Sequence, residues 1–123
     1  MNLADEAERW EQLFTGLADF AQIEYPDELQ IGRVNGLLGS LHLIQPFQWT
    51  SWNVPFPAPE EIPGLCLADC IKQITRLARA NRTNEGILWG ALRSGALEAL
   101  CRTAHERSGG QVVGLLSELE SAN

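Results

Sequence analysis

The sequence predicts an all-α protein, a compact single-domain bundle of about five helices interrupted by one long loop. Three observations predict it. Apolar residues recur at three- and four-residue steps along most of the 123 residues. Five of the six prolines gather in one stretch, residues 45–64. Breaks such as Ser94-Gly95 and Ser108-Gly109-Gly110 fall at helical lengths. A chain of this length buries roughly two-thirds of its unfolded surface, enough for one core spanning residues 1–123.

The first helix, residues 3–22, is the clearest. Leu3, Ala7, Trp10, Leu13, Phe14, Leu17 and Ala21 share one stripe at 100° per residue. Asp5, Glu8, Glu11 and Asp19 spread over the opposite side. Pro26 suits the first turn of a second helix, with Asp27 and Glu28 near its positive end. Leu29, Val34, Leu37, Leu38, Leu41 and Ile44 supply its apolar face. Gly32, Gly36 and Gly39 are costly inside a helix at ~1 kcal/mol each relative to alanine. Their shared side predicts close approach by a neighbouring helix, with a run of irregular turns as the alternative.

Residues 45–64 form the loop, because Pro46, Pro55, Pro57, Pro59 and Pro63 exclude a continuous helix or central strand. Phe47, Trp49, Trp52 and Phe56 lie within it. They either fold back over the core or present a tryptophan anchor to a partner. The helical C-terminal half, residues 65–119, opens with Leu67, Cys70, Ile71, Ile74, Leu77 and Ala78 inward. Thr83 or Asn84 caps the next helix, in which Ile87, Leu88, Ala91 and Leu92 face in. Ala96, Leu97, Leu100, Cys101 and Ala104 make the following helix, and Val112 to Leu119 a short last one.

Charge is the strongest functional signal. Residues 1–28 hold Asp5, Glu6, Glu8, Glu11, Asp19, Glu24, Asp27 and Glu28 against Arg9 alone, a local charge of −7. The whole chain is also at −7, with a pI near 4.7. Such a balance argues against direct binding of nucleic acid or an anionic membrane and favours a basic protein partner. No stretch approaches the ~20 apolar residues of a membrane helix. The N-terminus lacks the basic and apolar regions of a signal peptide, so a cytoplasmic location in a bacterial host cell is expected.

Catalytic and metal signals are weak. Cys66-x3-Cys70 and Cys101-x3-His105 supply three sulfurs and an imidazole. Cys70 and Cys101 fall on core stripes, however, so no metal and no cofactor is expected. His42 and His105 lack a nucleophile motif around them, and Glu60-Glu61 reads as a solvated pair. The arginines Arg76, Arg79, Arg82 and Arg93 read as internal partners for the N-terminal helix or Glu85.

The stretch Arg79-Ala80-Asn81-Arg82-Thr83-Asn84-Glu85-Gly86-Ile87-Leu88, followed by Ser94-Gly95-Ala96-Leu97, resembles a family of small bacterial and phage domains of unknown function. Members read like Arg-x-Asp-Arg-Phe-x-Glu-Gly, then Ser-Gly before a final helix. The upstream Phe47-Gln48-Trp49-x-x-Trp52 also fits, so the resemblance spans about residues 25–105. This chain departs from the pattern at Asn81 and Thr83. The resemblance implies a helical fold and no activity. At the level of class, a short acidic chain of this kind also resembles the anti-CRISPR inhibitors directed against type I systems.

These readings converge on a non-enzymatic inhibitor. Its acidic, DNA-mimicking face of Asp5, Glu8, Glu11, Asp19, Glu24, Asp27 and Glu28 would occupy the nucleic-acid site of a basic protein, including a type I CRISPR effector complex. The alternative is an interaction module or accessory subunit that binds through the Trp49/Trp52 loop.

Overall fold

A computed structural model describes residues 3–22, 28–45, 52, 54–80, 86–110 and 112. Among them lie five α-helices and one 3-10 helix, and no strand. The helices are α1 (Leu3–Ala21), α2 (Glu28–Ser40), α3 (Leu67–Ala80), α4 (Ile87–Arg93) and α5 (Ala96–Ser108). The 3-10 helix covers Pro59–Gly64.

The predicted stripes fill the centre. Trp10, Leu13 and Leu17 of α1 are buried, as are Cys70, Ile71, Ile74, Leu77 and Ala78 of α3 and Leu97, Leu100, Cys101 and Ala104 of α5. Each large apolar side chain so removed from water stabilises the fold by roughly 1.5–3 kcal/mol. α3 packs on α5, α4 bridges both, and α1 rests against α2, α4 and α5. One departure from the α1 stripe is that Ala7 is exposed while Phe20 and the carboxylate residue Glu6 are buried. Asp5 and Glu6 stand in the first turn of α1, where its positive end favours negative charge.

α2 forms where the sequence predicts it, with two departures from expectation. Val34, Leu38 and Leu41 are buried, but Leu29 is 80% exposed. Gly32, Gly36 and Gly39 are exposed, and a Cβ on any of them would meet nothing within 4 Å. Among the described residues no neighbour makes the expected close approach, and α2 is a continuous helix, not a run of turns. The helix holds because its opposite side packs on α1. It ends in a Schellman arrangement: Leu43 N–H donates to Leu38 O at 2.9 Å and His42 N–H to Gly39 O at 3.0 Å. His42 takes the left-handed conformation there, with φ of 59°. Thr75 of α3 then fixes the exit, donating to Leu43 O at 3.3 Å and accepting from Gln45 N–H at 2.9 Å.

The loop expected over residues 45–64 contains the 3-10 helix at its end, tied down by buried Ile62. Arg107 of α5 clamps it, donating to Pro63 O at 2.8 Å and Leu65 O at 3.1 Å. Phe47 and Trp49 lie outside the described residues, as do Thr83 and Asn84 and all of the expected last helix except buried Val112. α4 opens behind Gly86, whose φ of 98° suits glycine. Two glycines, Gly109 and Gly110, close α5 with φ of 63° and 77°.

Candidate functional site: a carboxylate groove between α1 and α2

The stripe Glu8, Gln12, Thr15, Asp19 follows steps of four, three and four residues, so these side chains line up along one side of α1. Glu11 borders them. From Glu8 to Asp19 the row runs about 16 Å at 1.5 Å per residue. All five residues are exposed. Because α2 packs alongside, the row is one wall of a groove of about 400 Å³, and Arg33 of α2 stands in the other wall. Gly16 opens the floor into a smaller crevice of about 80 Å³ lined by Phe20, Val34 and Leu37. The site therefore joins a carboxylate wall to a narrow apolar floor.

Of the seven predicted site residues, Glu8, Glu11 and Asp19 come together in this groove. Asp5 is exposed on the same helix but is not part of the groove, and it is engaged elsewhere. Glu28 begins α2. Glu24 and Asp27 lie outside the described residues. Among the described residues, Glu8, Glu11 and Asp19 form no ion pair, whereas Arg102 is paired with Glu98 at 2.8 Å within α5. Arg33 was not anticipated, since nothing in the local pattern of α2 says which neighbour it will face.

Arg76 is used differently from expectation. Arg76 does not reach α1. Its guanidinium lies 4.7 Å from the centre of the Trp52 ring and donates to Val54 O at 2.6 Å and to the Gln73 side-chain oxygen. Arg102 does reach α1, lying 4.7 Å from the Phe14 ring centre, through the ring and not through a carboxylate.

A second concave surface lies beside Trp52. Trp52, Val54, Pro55, Phe56 and Pro57 line it together with Glu61, Leu65, Asp69 and Gln73, around about 200 Å³. Val54 and Phe56 are 45% and 41% exposed.

The residues weighed for metal binding line neither groove. Cys66 is exposed, while Cys70 and Cys101 are buried thiols. Burial pushes the Cys70 thiol up to about 12, and it pushes Cys101 up as well. His105 is held edge-on to Trp10 and Phe14, with ring centres 4.9 Å and 5.7 Å away. Among the described residues no three His, Cys, Asp or Glu side chains converge as a metal site. No described helix is long and apolar enough to cross a membrane.

Among the described residues these features define a small all-α domain that carries the α1 and Trp52 grooves. The chain belongs to a family of unknown function, DUF6508, which matches residues 8–108. No curated protein and no solved structure matches it.

Proposed function

We propose that this protein acts by binding, not by catalysis, and that its α1 groove docks onto a basic surface of a nucleic-acid-handling protein. The observation that carries this reading is the exposure of Glu8, Glu11 and Asp19 in one groove with Arg33 as the cation lining it. An anionic concavity raises the local concentration of cationic partners and steers their approach. The apolar crevice below accepts the aliphatic stem of a lysine or arginine whose charged end meets the carboxylates. In such a complex the carboxylate row takes the place of a phosphate backbone. A bacterial defence complex of the type I CRISPR class is the partner that the class-level resemblance suggests.

The test uses the full chain and a purified type I effector complex from a bacterial host. The neutral triple variant E8Q/E11Q/D19N keeps its helicity by circular dichroism and loses binding and inhibition. Binding by the unmodified protein weakens steeply with salt, since the Debye length falls from ~10 Å at 0.1 M to ~3 Å at 1 M. Full inhibition by the triple variant, or binding indifferent to salt, overturns the reading.

A further inference from the structure

The Trp52 groove shares no lining residue with the carboxylate groove. Its aromatic side is stiff. Pro55 and Pro57 restrict the backbone on both sides of Phe56. Arg76 pins the segment from behind by its bond to Val54 O and its stacking on Trp52. The exposed Val54 and Phe56 are therefore held in water by design of the chain, at the cost of apolar surface left wet.

The groove is also acidic. Glu61 and Asp69 both line it, and among the described residues no cation does. The two nearest arginines are occupied: Arg76 with Val54 and Gln73, Arg107 with the carbonyls of Pro63 and Leu65. The Glu61 carboxylate has one bond, accepting from Ala58 N–H at 3.3 Å. A groove lined by aromatic and apolar residues together with two carboxylates matches a ligand that carries apolar side chains and a cation.

We propose that this groove binds an extended, proline-containing segment of a partner protein that carries an arginine or lysine beside its apolar residues. The extended form fits because the groove is short and rigid. A helix would need anchors spaced over two turns, and the described residues offer no strand edge for a ligand strand to join. A proline-rich segment is already ordered before it binds, and so is this wall, so little conformational entropy is lost on association. Trp52 and Phe56 take the apolar residues, Gln73 borders them, and Glu61 and Asp69 meet the cation.

The test is a titration of the isotope-labelled full chain with a short synthetic peptide of the pattern arginine-x-x-proline-x-x-proline, followed by NMR. Signals of the Trp52 indole, Val54, Phe56 and Asp69 shift together. F56A weakens binding about tenfold, as expected for an aromatic anchor. E61Q/D69N weakens the arginine peptide and leaves unchanged a peptide carrying citrulline in its place. The α1 variant E8Q/E11Q/D19N binds the peptide like the unmodified chain, which separates this proposal from the α1 reading. Phe56, Glu61 and Val54 are exposed, so their variants should fold; V54A serves as a second truncation if F56A does not. The proposal is overturned by unmoved signals at saturating peptide, by shifts confined to Glu8, Glu11 and Asp19, or by binding indifferent to both F56A and E61Q/D69N.

Discussion

The indole Nε1–H of Trp10 donates to the carbonyl of Gly110 at 3.1 Å, joining the first helix to the end of the last across 100 residues of sequence. Around this bond Phe14 stacks on Trp10 with ring centres 5.7 Å apart, and His105 meets both rings edge-on. Gly110 N–H in turn donates to His105 O at 3.0 Å, so the α5 terminus and the α1 aromatics are one assembly.

Replacing Trp10 by Phe removes the donor while keeping an aromatic ring, and should cost about 1 kcal/mol. Trp10→Ala also leaves a cavity and should cost ~3–5 kcal/mol, enough to unfold a marginal domain. Urea titrations followed by circular dichroism separate the two. Equal midpoints for W10F and the unmodified chain would show that the bond contributes nothing.

Glycine substitutions should divide by position. Gly110 has φ of 77°, and a Cβ there would sit 3.1 Å from His105 Nε2, so G110A should destabilise by about 1–2 kcal/mol. G36A, in the open middle of α2, should stabilise by about 0.5–1 kcal/mol, because alanine has less freedom to lose and nothing to strike. Thermal melting should therefore move in opposite directions for the two. A fall for G36A would reveal a partner surface that needs glycine there.

The thiols should differ in reactivity. Exposed Cys66 reacts at once with a disulfide reagent in the native protein, while Cys70 and Cys101 wait for unfolding. Cys70 is raised chiefly by burial, with Cys66 and Asp69 adding to the effect and Arg107 opposing it. The folded state thus keeps a proton that the unfolded chain releases. The stability this contributes is complete below about pH 9 and declines as pH rises toward about 12. Denaturant titrations across that range should show a shallower decline for Cys70→Val than for the unmodified chain.

Arg76→Met should leave global stability nearly unchanged, a loss of no more than about 1 kcal/mol, because its bonds are partly solvated. Locally the effect should be larger. With Val54 O and the Trp52 ring released, hydrogen exchange of residues 54–58 should quicken, and the affinity of the proline-rich peptide should fall. Unaltered exchange in that segment would show that the prolines alone hold it.

Helical periodicity is a property of a window of ten or so residues, and that is why α1, α3 and α5 could be read directly. Their buried stripes, from Trp10 through Ile74 to Leu100, follow from spacing. The carboxylate row was readable for the same reason, since Glu8 and Asp19 share a side of any helix that contains both. Leu29 was not readable. Its position fits an apolar stripe, yet α2 is an edge helix that rests mainly on α1, and among the described residues no element packs on its outer side.

Composition and local pattern sufficed for the all-α class and for an acidic N-terminal helix. Long-range packing settled the rest: Arg33 opposite the carboxylates, Trp10 against Gly110, Arg76 beneath Trp52, and Val54 and Phe56 in water. The physical reason is that a helix's own turn-to-turn contacts depend on neighbours three and four residues away. Which side chain meets which across a groove depends on how separate helices come to rest against one another, and no stretch of chain carries that information alone.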